Sequence, residues 1–339
     1  MKNKKLSISF FSIIISINLL FSACSTTKVN ETSKQNNKNV EQEQKVEKTI
    51  KKEKPKEIPT MKESLEKLCS DEFKGRLVGS EGNIKAEKYI SNIFKDIRLE
   101  PLFKDSYYQK YTQKVRDFEN NNPDKIKEIA SNNVVGVIKG KDSSKTVVLS
   151  AHFDHLGIED NKIIKGALDN ASGTVLLMDI AKKLKEKSIN SPFKMDIIIA
   201  AFNGEERGLK GSKAFVEKVK PMYKNLYNIN IDCVGGKESG NITFYGDSKV
   251  SKDLSNALTE TFKKSNVKLA IGEQRLLGSD NKSFEEAGFA NVFIRQENIT
   301  QFIHRPEDTP DKIDYDKLKD LSKVLCDFIL QNDAVIFNK

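Results

Sequence analysis

Apolar residues along this chain switch between two rhythms. From Ser80 to Ile97, the residues Ile84, Tyr89, Ile90, Ile93, Phe94 and Ile97 recur at the spacing of one helix face, which predicts a helix packed on a sheet. Asn133 to Lys139 (NVVGVIK) and Thr146 to Ala151 (TVVLSA) are β-branched runs that predict strands. The short linker Gly140 to Ser144 between them predicts a hairpin. Met195 to Phe202 (MDIIIAAF) is apolar at nearly every position, as a central parallel strand covered on both faces should be. Helical patterns cover Thr174 to Leu184 and Lys210 to Val219, and Leu226 to Asp232 alternates like a strand. Further on, the pattern predicts strands at 241–245 and 290–295 and helices at 249–265, 280–287 and 315–331. Strands alternating with helices predict an α/β fold, a three-layer α/β/α sandwich. The hairpin makes its central sheet mixed, though mostly parallel. One domain over 61–339 accounts for the whole pattern.

Upstream of that domain the pattern breaks. Lys2, Lys4 and Lys5 precede an apolar stretch from Leu6 to Phe21, followed by Ser22, Ala23 and Cys24. This is the layout of an export signal over residues 1–24. A cysteine at that point resembles a bacterial lipobox, with Cys24 as the lipidated residue and Phe21 where such motifs usually carry leucine. The competing reading is an uncleaved anchor, since the stretch approaches the roughly 17–25 residues of a spanning helix. Both readings place the remainder outside the cytoplasm, anchored to the outer face of a bacterial cell membrane. Residues 25–60 are Lys, Glu, Asn, Gln and Thr with almost nothing apolar, so they predict a flexible charged tether.

The tether changes the meaning of the charge. The chain is +9 overall, but residues 1–62 hold 13 lysines against 6 glutamates, which accounts for seven of those charges. The domain itself is therefore nearly neutral, and the basic balance is no sign of nucleic-acid binding. It suits a segment lying beside anionic headgroups. The cysteines beyond Cys24 are Cys69, Cys233 and Cys326, an odd number with neither zinc-knuckle nor disulfide-framework spacing. They read as small buried hydrophobes, with room for one bridge whose partners the spacing does not assign.

The chemistry concentrates in seven residues. His152, Asp154, Asp169, Glu205, Glu206, Asp232 and His304 are widely separated, and two of the chain's three histidines are among them. Open α/β sheets bind ligands beyond the carboxyl ends of their strands. TVVLSA runs into His152, MDIIIAAF leads to Glu205 and Glu206, and LYNINI runs into Asp232, so several loops on one rim can converge. Imidazoles and carboxylates with one carboxylate to spare suit a pair of adjacent metal ions and a proton carrier. Zinc is the default for these donors, although cobalt or manganese would accept them. Alone, Glu205-Glu206 would read as a solvated charge pair; its place after an apolar strand beside Gly204 argues otherwise. His155, the third histidine, reads equally as a cleft-lining or a structural residue. Cys233 follows Asp232 on a strand and should face the opposite way, into packing. Gly136 to Lys141 fails the phosphate-loop pattern, and no G-x-S-x-G elbow exists for a serine hydrolase.

Five motifs, SAHFDHLG, GALDNASG, FNGEERGLKGS, NIDCVG and IHRPEDTPDKID, appear in that order after GRLVGSEGNIKAEKYI. Together they resemble the co-catalytic di-zinc aminopeptidase family, whose distant relatives include glutamate carboxypeptidases and glutaminyl cyclases. The resemblance runs from about Gly75 to the last helix. It implies two zinc ions per chain, bridged by Asp169, with His152 and Asp232 completing one site and Glu206 and His304 the other. It further implies Glu205 as general base, Asp154 as the group that orients the His152 ring, and peptides with a free N-terminus as substrates. Two positions depart from relatives: Ile303 stands where several have tyrosine, and Asn281 where a histidine is frequent. Both bear on substrate contacts and leave the ligand set intact. Two other readings stay open, a single-zinc enzyme like glutaminyl cyclase and a non-catalytic binding lipoprotein of the same fold.

Overall fold

The computed structural model describes residues 57–117, 122–246, 248–270 and 278–337. The signal segment with Cys24, the tether as far as residue 56 and residues 271–277 lie outside the described residues. Seven helices are described: α1 (Met61–Leu68), α2 (Glu81–Ile97), α3 (Ser172–Asn190), α4 (Lys210–Val219), α5 (Lys252–Lys263), α6 (Asn281–Glu286) and α7 (Tyr315–Gln331). The strands are β1 (Glu100–Pro101), β2 (Tyr108–Asp117), β3 (Asn122–Ile138), β4 (Asp142–His152), β5 (Gly157–Glu159), β6 (Lys162–Ile164), β7 (Met195–Phe202), β8 (Asn225–Ile231), β9 (Ile242–Tyr245) and β10 (Ala290–Gln296).

One eight-stranded sheet runs in the order β1-β3-β7-β4-β8-β10-β9, with β2 also paired to β3. The strands β7, β4, β8 and β10 are mutually parallel, while β3 and β9 flank them antiparallel. Every residue of β7 is buried, and its two faces feed two apolar clusters on opposite sides of the sheet. One cluster packs Phe202 against Phe215 at 5.2 Å between ring centroids and against Phe284 at 6.2 Å. Each such side chain contributes roughly 1.5–3 kcal/mol by leaving water. The mixed α/β sandwich expected from the alternation is the observed fold.

The expected hairpin is not formed. Strand β7 lies between β3 and β4, pairing Val134 with Ala201 on one side and Val147 with Ile197 on the other. Four extended steps from Ile138 to Asp142 reach about 13 Å, enough to cross two strand spacings of roughly 4.8 Å each. The linker passes directly over the start of β7: a Cβ on Gly140 would stand 2.2 Å from the carbonyl oxygen of Met195. Inserting β7, apolar at every position but Asp196, between two strands buries both of its faces.

Other differences are local. Ile84 belongs to the predicted apolar stripe of α2 but is exposed, whereas Ile90, Ile93, Phe94 and Ile97 are buried. The long β2–β3 hairpin, registered from Tyr108–Val134 onward, carries no sequence-based expectation, because lysines alternate along it and its apolar positions are sparse. Thr60 caps α1 reciprocally with Glu63. Cys69, Cys233 and Cys326 are all buried free thiols. No helix among the described residues is long and apolar enough to cross a membrane.

Candidate metal centre

The parallel strands deliver their chemistry to one rim. His152 is the last residue of β4, Asp232 follows β8 directly, and Glu205 and Glu206 occupy the turn after β7. Asp169 lies in the tight turn before α3, joined to Asn170 by a cis peptide bond. His304 comes from the loop after β10, in the left-handed backbone region with φ 59°.

These residues meet in two groups that share Asp169. His152 Nε2 stands 3.2 Å from Asp169 Oδ1 and 3.4 Å from Asp232 Oδ2. On the other side, His304 Nε2 stands 3.0 Å from Asp169 Oδ2 and 3.3 Å from Glu206 Oε2. Asp169 thus offers one oxygen to each group. Asp232 Oδ1 is buried with no hydrogen-bond partner, an orphaned acceptor that a cation would satisfy. Mixed imidazole and carboxylate donors at this spacing fit divalent zinc chemistry.

The protonation states tell the same story. Burial opposes a charge on His152, but the Asp232, Asp154 and Asp169 carboxylates around it overcome that and raise its pKa well above the ordinary value. Hydrogen bonds to Asp169 and Glu206 push His304 up to about 11. Burial and the Asp169 charge would raise Glu206, yet hydrogen bonds from His155 and His304 hold it down at about 2. Without a metal ion, the two imidazolium groups supply the positive charge that this carboxylate cluster demands. Glu205 differs. Burial, reinforced by the Asp280, Asp232 and Glu206 carboxylates, keeps it well above the usual carboxylate range despite the opposing His152 charge. A carboxyl raised toward neutrality is suited to taking and returning a proton.

Asp154 ties the set together. Its carboxylate accepts the backbone N–H groups of Glu205 at 3.1 Å and Glu206 at 3.3 Å. The His152 Nδ1 lies 3.2 Å from the main-chain oxygen of Asp154 and 3.6 Å from its Oδ1. One side chain therefore links the end of β4 to the turn after β7.

Several supports escaped the sequence reading. Arg76 is fully buried, and its guanidinium donates to four main-chain oxygens, those of Leu68, Phe153, Lys165 and Gly166. It clamps the residue between His152 and Asp154 to the turn that carries Asp169. Asp308 accepts the N–H groups of Leu168 at 2.7 Å and Asp169 at 3.1 Å. Asn170 donates to Ile231 O and accepts from Cys233 N, fastening the Asp169 turn beside Asp232. Asn203 joins Asn83, Glu87 and Asn133 in a buried network that holds the end of β7. His155, left open between two readings, is buried with Nδ1 2.8 Å from Glu206 Oε1. Its place directly after Asp154, three residues beyond His152, was the signal available in the sequence. Cys233 sits buried, with φ 55° turning it away from the ladder.

A probable leucine aminopeptidase of Arthroderma otae is 31% identical over 200 residues, covering 57% of this chain and 55% of that protein. The chain spans about half the length of the curated relatives it matches first. The fold is shared with a zinc aminopeptidase from Bacillus subtilis (TM-score 0.62, 17% identity, 81% of this chain and 96% of that one). It is shared equally with a glutaminyl cyclase of Fimbriiglobus ruber (TM-score 0.61, 18% identity, 79% and 93%). At those identities the likeness is one of fold alone. The family model for peptidase family M28 matches residues 133–329, more than half of the chain and all seven residues of the rim. The chain belongs to peptidase family M28.

Proposed function

We propose that this protein is a zinc-dependent aminopeptidase that removes N-terminal residues from peptides. The observation that carries the reading is the split carboxylate: Asp169 presents Oδ1 to His152 and Oδ2 to His304, each with a further acid beside it. In this reading His152, Asp169 and Asp232 hold one zinc ion, and Asp169, Glu206 and His304 hold the second. Bound there, the metal supplies Lewis acidity toward a scissile carbonyl and makes a water molecule easier to deprotonate. Glu205 accepts the proton from the attacking water and returns it to the departing amine. Asp154 keeps Glu205 and Glu206 in register by holding both of their backbone amides. The acidic surroundings of Glu205 favour a substrate whose α-amine is free and charged over one that is blocked.

Glu205→Gln should retain both metal ions and lose at least about a hundredfold in kcat, the scale for removing a general base. Unchanged turnover would remove Glu205 from the mechanism. The domain from residue 61 should cleave aminoacyl reporters and leave N-acetylated peptides intact; hydrolysis of the blocked peptides would overturn the exopeptidase reading. The competing assignment is a single-zinc enzyme like glutaminyl cyclase. Elemental analysis separates the two, since one metal ion in fully active protein favours the cyclase. A binding protein of the same fold would instead hold metal without turnover.

The leader and tether support a location. We propose export and attachment to the outer face of the cell membrane through lipid on Cys24, with peptides outside the cell as substrates. Radiolabelled palmitate should enter the wild-type chain and not Cys24→Ser. Label retained in that variant would place the anchor elsewhere.

A further inference from the structure

The site contains a histidine with no assigned task. His155 is fully buried, and its Nδ1 faces Glu206 Oε1 at 2.8 Å. A carboxylate only accepts hydrogen bonds, so the ring nitrogen at that distance carries the proton. The opposite nitrogen, Nε2, is buried with no partner, so the ring is not anchored from its far side. Its backbone and one face fix it instead. The main-chain N–H of His155 donates to Arg76 O at 3.3 Å, and the segment bridges Leu77 in parallel. The ring packs against Gly166, where a Cβ would come within 2.5 Å of its Cγ and Cδ2. Only glycine leaves room for this imidazole, and Gly166 opens the turn that carries Asp169.

Resting on the two-metal reading, we infer that His155 is a positioning residue for the second metal. Its Nδ1–H holds Glu206 Oε1 and leaves Oε2 as the one oxygen directed at the space shared with His304 Nε2 and Asp169 Oδ2. Held this way, Glu206 binds through a single oxygen in a fixed direction. Freed, it would rotate or chelate with both oxygens, and a site built from a half-exposed histidine would lose its rigid member. The competing role is direct ligation, because His155, Asp169 and Glu206 can place three donor atoms within 4.8 Å of one another.

Asparagine distinguishes the two. Its amide nitrogen occupies the place of the histidine Nδ1 and donates a hydrogen bond, but it is a poor zinc ligand. Metal-free wild type, His155→Asn, His155→Ala and His155→Leu would be titrated with zinc against a chromophoric chelator, with circular dichroism confirming each fold. Wild type should bind two ions. His155→Asn should bind two, with the weaker affinity within about threefold of wild type. His155→Ala and the space-filling His155→Leu should lose about 10–100-fold at the second ion, the scale for removing a group that orients a ligand, and leave the first unchanged. Unchanged second-ion affinity in whichever of the two folds overturns the inference. So does His155→Asn falling as far as they do, which makes His155 a ligand. Wild-type protein that takes up one ion or none overturns the two-metal reading and this inference with it.

Discussion

The two halves of the donor set are built by different means. His152 and Asp232 sit at the ends of adjacent parallel strands, both buried, and the strand pairing that runs to Ser150 and Asn230 brings them side by side. Thr174 Oγ1 holds the carbonyl of His152 at 2.8 Å, and Asn170 holds the carbonyl of Ile231 beside Asp232. The other half takes Glu206 from a turn and His304 from a long loop, where the imidazole is 49% exposed. Its ring nitrogen faces the two carboxylates it would share with a metal ion, those of Asp169 and Glu206. The first half is a product of the sheet; the second joins a glutamate held by Asp154 and His155 to a half-exposed histidine from a loop. Asp169 belongs to both, so it is the hinge on which the comparison turns.

Removing that hinge should have the largest effect. Asp169→Ala takes one donor from each half, so both ions should be lost together and turnover should fall by more than the roughly 10–100-fold typical of removing an orienting group. Elemental analysis after dialysis checks the first outcome. A variant that keeps one tightly held ion would show that one half is complete without the shared carboxylate.

The unequal construction also accounts for what was legible beforehand. Residues placed by regular structure were readable, because an apolar run followed by His152, by Glu205 and Glu206, or by Asp232 announces a strand and its end. The supports were not. Arg76, Asn170 and Asp308 act through main-chain carbonyls and amides, and nothing in a residue's type says which backbone group it will meet. A fully buried arginine satisfied by four carbonyls contradicts the usual expectation for arginine, so only packing could reveal it. The hairpin failed for a related reason. A short linker between two strands normally implies pairing, and the residues from 139 to 141 do not record that a strand arriving some fifty positions later will wedge between them.

Removing one histidine at a time sharpens the contrast in the metal-free protein. His152→Ala leaves Asp169 and Asp232 buried without their cation and should cost about 3–5 kcal/mol, as breaking a buried pair does. His304→Ala exposes its carboxylates to water through the space vacated at the surface and should cost under about 1 kcal/mol, the scale of an exposed pair. Urea unfolding of both metal-free variants is the measurement, and equal losses would erase the proposed difference between the halves. On the two-metal reading, each variant should lose one ion and keep the other.

The smallest expected effect concerns Asp280, another acid of the buried half. It is wholly inaccessible, and burial, with the Asp154 and Asp232 charges, pushes it up to about 7 despite the nearby His152 and the Ser212 hydroxyl. Its folded pKa is thus above its unfolded one. The native state binds a proton that the unfolded chain releases near pH 4, so this contribution is complete at low pH and lost as pH rises through about 7. His152 and His304 are raised as well, and they add to the same decline above their unfolded pKa of about 6.5. Metal-free protein should therefore grow less stable from pH 6 to pH 8, and Asp280→Asn should remove about 1 kcal/mol of that fall while leaving the part due to the histidines. Bound cations would stabilise the ionised carboxyl and reduce the slope in wild type. A metal-free Asp280→Asn variant with the wild-type slope would show that Asp280 is already ionised at pH 6, and that the buried half tolerates more negative charge than its two imidazoles can offset.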